Sequence, residues 1–171
     1  MADEVSPELV RAFDGVLLGI GAQGWMRTWD GDGRIRQKRW DNFTQILPHV
    51  KVVVFSEEDI APFGEGVVAD YVGLTEIVIL TRGSRGSTLF IGRERVDIPA
   101  YPAKEVDPTG AGDVFTSAFL IKYYKTKDPV KSALFASCVA SFVVEKEGTS
   151  GIPTLDQVVE RQEKYDRMFK L

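Results

Sequence analysis

The run Lys51-Val52-Val53-Val54-Phe55 constrains this chain more than any other feature, because it is apolar at four consecutive positions. Side chains of a strand alternate between the two faces of a sheet, so a strand that is apolar throughout has to be covered on both. Glu76 to Thr81 is a second β-rich run, and Gly15 to Ile20 reads as a further buried strand. The cover is supplied by helices. From Gly112 to Tyr124, Asp128 to Glu145 and Thr154 to Phe169 the apolar residues recur every three to four positions, with Asp128-Pro129 and Gly148 to Pro153 as breaks. Ser6-Pro7-Glu8 signals a short first helix, Asp41 to Leu47 a helix ended by Pro48, and Gly64 to Tyr71 another. Ser87 to Ile91 and Arg95 to Ile98 read as a hairpin around Gly92-Arg93-Glu94. Trp25-Met26-Arg27 and Arg34-Ile35-Arg36 flank the turn residues Trp29 to Gly33 as a second hairpin or extended excursion at the sheet margin. The expected architecture is α/β, an αβα sandwich on a mostly parallel sheet.

Composition narrows the function. At 171 residues, 44% hydrophobic and 27% charged, the chain is sized for one domain. Twenty-one basic and twenty-five acidic side chains give a net charge of -4, with no basic block dense enough to track a nucleic acid backbone. Nucleic acid is not an expected partner, and neither is a membrane, since no apolar run reaches the roughly 20 residues of a span. Met1-Ala2-Asp3-Glu4-Val5 has neither the basic nor the apolar part of a secretory leader, so a cytoplasmic location is expected. One cysteine, Cys138, and one histidine, His49, leave no internal disulfide and no soft-ligand zinc site to expect.

Three motifs bear on chemistry. Gly19-Ile20-Gly21-Ala22-Gln23-Gly24 matches the G-x-G-x-x-G pattern of dinucleotide sites. That pattern requires a helix opening at the glycines, whereas here Trp25 to Trp29 runs into Asp30-Gly31-Asp32-Gly33, which argues against it. His49 beside Pro48 has no nucleophile placed near it by any motif and reads as a loop histidine. The third is Asp107-Pro108-Thr109-Gly110-Ala111-Gly112-Asp113-Val114-Phe115, which abuts the apolar start of a helix. Small residues there let backbone N-H groups of Gly110, Ala111, Gly112 and Asp113 converge on an anion, aided by the positive helix terminus. Asp113 is placed to accept a proton while those amides stabilise charge on a transferring phosphoryl group. The plainer alternative is a tight turn with a favourable first-turn acid.

Asp107 to Asp113 followed by Ser117-Ala118-Phe119-Leu120 resembles the C-terminal signature of the PfkB, or ribokinase-like, family of carbohydrate and nucleoside kinases. Thr81-Arg82-Gly83-Ser84-Arg85-Gly86-Ser87 is similar to the T-x-G-x-x-G element with which that family contacts ATP. Ser56-Glu57-Glu58-Asp59 lies where the family carries N-x-x-E, with serine for asparagine and aspartate for glutamate. The resemblance implies a ribokinase-like fold and phosphoryl transfer from ATP to an alcohol of a sugar, cyclitol or nucleoside. Asp113 is its implied base, and Gly110, Ala111 and Gly112 the anion hole. Thr81, Gly83, Gly86 and Thr109 fall to the nucleotide, Ala136, Ser137 and Gly148 to its adenine side. Asp59 and Glu58 are implied for Mg2+, unless the cluster only caps the following helix. In relatives, backbone carbonyls near the last turn and the Asp107 to Thr109 segment bind a monovalent cation, which extends the expectation to K+.

Gln23-Gly24-Trp25-Met26-Arg27 resembles a stretch of inositol-kinase-like branches, where Gln23 and Arg27 would orient substrate or phosphate; an ordinary ion pair is the plainer role of Arg27. The resemblance runs from about Gly15 to the end and corresponds to the C-terminal half of a family member, so the acceptor-binding half and its lid have no counterpart here. A rival expectation is therefore a nucleotide-binding half-domain that needs a partner chain. An exposed edge at the strand Gly15 to Ile20 would favour association, as a homodimer or with an N-terminal fragment.

Overall fold

The computed structural model describes residues 5–169. In chain order its elements are α1 (Pro7–Arg11), β1 (Gly19–Gly21), α2 (Gln23–Met26), β2 (Arg27–Trp29), β3 (Ile35–Gln37), α3 (Phe43–Ile46), β4 (Val52–Ser56), α4 (Glu57–Ile60), α5 (Val68–Tyr71), β5 (Ile77–Thr81), β6 (Ser87–Ile91), β7 (Glu94–Ile98), α6 (Ala111–Thr126), α7 (Pro129–Val143) and α8 (Leu155–Phe169). Five strands form one sheet in the order β1-β4-β5-β6-β7, and β2 and β3 pair separately. β4 pairs in parallel with β1, Gly19 opposite Val52, and with β5, Val52 opposite Ile77. The Arg82–Gly86 and Gly92-Arg93 connections are too short for a parallel crossover, so β5, β6 and β7 alternate in direction and the sheet is mixed. Among the described residues no helix is long and apolar enough to cross a membrane.

The chain divides into two compact units, residues 1–81 with 89–95, and residues 82–88 with 96–171. In the first, the apolar strands behave as their sequence requires: Val52, Val53, Ile77, Val78, Ile79 and Leu80 are all at most 1% exposed. An aromatic cluster fills the space beside them. Trp40 stacks on Trp25 at 5.3 Å, lies 5.6 Å from Tyr71, and donates its indole N-H to Asn42 Oδ1 at 2.8 Å. Burial, then the nearby Asp70 charge, pushes the Tyr71 hydroxyl up to about 12. In the second unit, α7 begins at an Asp128 cap, whose carboxylate accepts the Lys131 amide at 2.9 Å, and buries Ala133, Ala136 and Cys138 completely. α8 is fastened to α7 by Arg161, which donates to Glu145 at 2.8 Å and Ser141 at 2.9 Å and lies over the Phe142 ring.

Several expected boundaries move. The strand expected from Gly15 to Ile20 begins only at Gly19, since Gly15 takes a φ of 88° and Val16 is 54% exposed. Pro48 does not end its helix at Leu47; it enters a 3-10 turn, Leu47–His49, at a position where its missing N-H costs nothing. A one-turn helix, α2, does open at the glycines after β1, but it gives way to β2 instead of leading to a further βα unit. A hairpin forms from Arg27 to Gln37 in a sheet of its own, but its first strand is displaced from the expected one: Trp25 and Met26 lie in α2, and Trp29, expected in the turn, pairs with Ile35. Replacing Trp40 by alanine leaves a cavity in the aromatic cluster, and is expected to lower unfolding free energy by about 3–5 kcal/mol in a urea titration.

Candidate active site

In the second unit, α6 starts after Gly110, whose φ of 80° lies in the left-handed region that a β-carbon disfavours. The chain reaches this glycine from a fixed point. The Val144 carbonyl, at the end of α7, accepts the amides of Val106 at 2.7 Å and Asp107 at 3.1 Å. The Asp107 carboxylate accepts the Thr109 amide at 2.9 Å and, at a longer 3.4 Å, the Gly148 amide. Hydrogen bonds from the Thr109 side chain and backbone, then from Gly148, hold the Asp107 carboxyl below the usual carboxylate range. Asp107 thereby draws Thr109 and Gly148 together.

Of the four residues expected to offer amides, Ala111 donates its own to the Pro108 carbonyl at 3.1 Å. Among the described residues, the amides of Gly110, Gly112 and Asp113 find no protein acceptor. They sit at the positive end of a 16-residue helix, a place suited to an anion. The Asp113 side chain is exposed, and among the described residues it takes part in no hydrogen bond or ion pair. Hydroxyls of Thr116 and Ser117 donate to the Gly112 and Asp113 carbonyls, each at 2.9 Å, and tie the first turns of the helix.

Gly83 and Gly86 lie on a closed turn in which the Arg82 amide reaches the Gly86 carbonyl at 2.7 Å. Gly86 has a φ of 85°, and a β-carbon there would stand 2.1 Å from the Ile98 carbonyl oxygen. No other residue fits this seat. Ala136 is fully buried, and Ser137 is buried with its hydroxyl donated to the Pro99 carbonyl at 2.9 Å, so both serve the packing of α7.

In the first unit, the parallel register sets Ser56 opposite Thr81, whose hydroxyl donates to the Phe55 carbonyl at 3.3 Å. Asp59 is 3% exposed, and both its oxygens are engaged. Oδ1 accepts Arg27 Nε at 3.0 Å and Nη2 at 2.8 Å; Oδ2 accepts the Ser56 amide at 3.0 Å and hydroxyl at 2.7 Å. The Ser56 hydroxyl in turn accepts the Asp59 amide, which completes a capping box at α4. Surrounded by donors and buried, this carboxylate does not suit a Mg2+ role; Glu58 beside it is exposed. At the Asp107 to Thr109 segment, both Asp107 oxygens and the Pro108 carbonyl accept protein amides. Arg27 makes the plainer of its two expected contacts, an ion pair, and His49, expected in a loop, is the last residue of the 3-10 turn Leu47–His49, with Nδ1 2.9 Å from Asp14 Oδ1.

The clamp of Val144 and Asp107 escaped the sequence reading. Its signal was present in part, since aspartate two residues before a turn amide commonly bonds it; the long-range half, to Val144 and Gly148, has no local signature.

Residues 25–155 match the pfkB family of carbohydrate kinases. A nucleoside kinase of Methanocaldococcus jannaschii is 42% identical over 100 residues, 57% of this chain and 33% of that one. An inositol 3-kinase of Zea mays is 30% identical over 165 residues, 90% of this chain and 40% of that one. The chain thus spans between a third and two-fifths of the length of these relatives. The crystal structure of Methanocaldococcus jannaschii nucleoside kinase is similar with a TM-score of 0.72 and 28% identity, over 93% of this chain and 54% of that one. Arabidopsis thaliana ribokinase, solved with ribose and ATP, is similar in fold with a TM-score of 0.70 and 24% identity, over 91% of this chain and 51% of that one. A match that runs over most of the sequence and a ribokinase-like fold that agrees with it lead to one assignment: the chain belongs to the pfkB family of carbohydrate kinases.

Proposed function

We propose that this chain is the ATP-binding and catalytic portion of a kinase that transfers the γ-phosphoryl group of ATP to an alcohol of a sugar, cyclitol or nucleoside. The observation that carries the reading is an exposed Asp113 carboxylate in the first turn of α6 that, like the Gly110, Gly112 and Asp113 amides, has no partner among the described residues. In this chemistry Asp113 takes the proton of the acceptor hydroxyl as its oxygen bonds to the γ-phosphorus, and the bond from that phosphorus to the departing ADP oxygen breaks. The three amides hold the charge that develops on the transferring group, in a turn whose geometry exists before substrate arrives. Ala111 contributes by closing that turn on Pro108.

Thr81, Gly83 and Gly86 are assigned to the nucleotide, with Thr109 and Gly148 bordering it and Ala136 and Ser137 shaping its adenine side through the packing of α7. The donor is taken to be magnesium-ATP, with no residue of this chain assigned to the ion. The names of the relatives support the acceptor classes: one is a nucleoside kinase, one an inositol 3-kinase, and the ribokinase was solved with ribose and ATP.

Association belongs to the same proposal. β1 stands at the edge of its sheet, and Leu9, Phe13 and Val16 before it are each at least 50% exposed. Paired backbone groups and covered apolar side chains would follow from a second copy or an N-terminal fragment docking there.

Two measurements test the proposal. Calorimetry should show ATP binding by the chain, and Asp113→Asn should leave that affinity within about twofold while cutting phosphoryl transfer at least 100-fold, the scale of a lost general base. Transfer retained by the variant removes Asp113 from the role. Sedimentation should give a species heavier than one 19.0 kDa chain; a monomer at high concentration would end the association proposal.

A further inference from the structure

The turn that carries Gly83 and Gly86 is braced from one side by a chain of polar side chains in the second unit. The Arg82 guanidinium donates to the Thr88 hydroxyl, and that hydroxyl donates to Asp97 Oδ1. Thr88 is completely buried, Arg82 is half-buried and Asp97 is exposed, so the hydroxyl links a charged group at the surface to one at the root of the turn. The backbone sets the other supports. Arg82 closes on Gly86, Arg85 donates to the Arg82 carbonyl at 3.1 Å, and Gly86 lies hard against Ile98, one residue past Asp97. A hydroxyl both accepts and donates, so Thr88 can satisfy Arg82 and Asp97 together, as an apolar β-branched side chain cannot. Its neighbour Ser87 gives the contrast: its hydroxyl is as deeply buried and has no hydrogen-bond partner among the described residues.

We infer that Thr88 is a positioning residue for nucleotide binding: its hydroxyl, held by Asp97, fixes Arg82 and through it the Arg82–Gly86 turn in the shape that receives ATP. The inference rests on the proposed function, since it presumes that this turn meets the nucleotide. Thr88 itself touches no ligand. It acts by keeping the turn in one arrangement, so its loss lowers affinity by the fraction of time the turn spends elsewhere.

The test is ATP titration by calorimetry on the full chain and on Thr88→Val, Thr88→Ser, Asp97→Asn and Ser87→Ala, each well below its own melting temperature. Thr88→Val should weaken ATP binding about tenfold, the scale of a lost hydrogen bond to a charged group. Thr88→Ser should restore it to within about twofold, because it returns the hydroxyl. Asp97→Asn, an exposed change that keeps the fold even if the valine variant does not, should weaken binding severalfold, and Ser87→Ala should leave it unchanged. A Thr88→Val protein that melts earlier yet binds ATP like the wild type overturns the inference, as does a serine variant no better than valine. An equal loss in Ser87→Ala overturns it too, since any disturbance of β6 would then suffice. Absence of ATP binding by the unaltered chain is a separate outcome that fails the proposed function, and the inference falls with it.

Discussion

The carbonyl of Val144 receives two backbone amides, and the arrangement of the loop before α6 follows from it. A helix leaves its last carbonyls without partners, and most proteins satisfy them with water or a glycine cap. Here the amides of Val106 and Asp107 take that place, so the end of one helix fixes the approach to the start of another. Asp107 extends the effect in both directions, toward Thr109 and toward Gly148. Arg161, held by Glu145 and stacked on Phe142, steadies α7 next to the same carbonyl. Among the described residues, three amides at the head of α6 have no protein acceptor, as the first turn of a helix leaves its donors.

Two aspartates illustrate how burial decides a carboxylate's use. Asp59 is enclosed, and an enclosed charge is tolerated only with partners for both oxygens, which Arg27 and Ser56 supply. It serves the start of α4 and the join to β2. Asp113 is exposed, where a carboxylate needs no protein partner, and its oxygens are left for the role proposed for it. Both are the third residue of their helix, so residue type and position alone do not separate an enclosed structural acid from an exposed one.

What the sequence made legible follows the range of the interactions. Val52 to Phe55, with four apolar residues in a row, could only be an interior strand, and the periods of α6, α7 and α8 located those helices to within a few residues. Gly110 and Gly86 could be read as glycines near an anion, but not as residues with positive φ, one of them pressed on Ile98. The 3-10 turn through Pro48 and the late start of β1 escaped because a proline in a first turn and an exposed Val16 both depend on neighbours distant in sequence. The capping half of Asp59's role was legible from Ser56 to Asp59, but its pairing with Arg27, 32 residues away, was not. Within the candidate site the residue types were legible and the division of labour was not, since only coordinates show that Ala111 spends its amide on Pro108.

The clamp at Asp107 also has a thermodynamic side. Fixing a backbone residue in one conformation costs about 1–2 kcal/mol of conformational entropy. Residues 107 to 110 meet that cost during folding, through Val144, Gly148 and their own turn, so an anion docking at α6 finds the loop already ordered. Under the proposed function, affinity at the head of α6 and stability of the α7 terminus are therefore linked: a change that loosens the C-terminal end of α7 would be felt as weaker binding at a site it never touches.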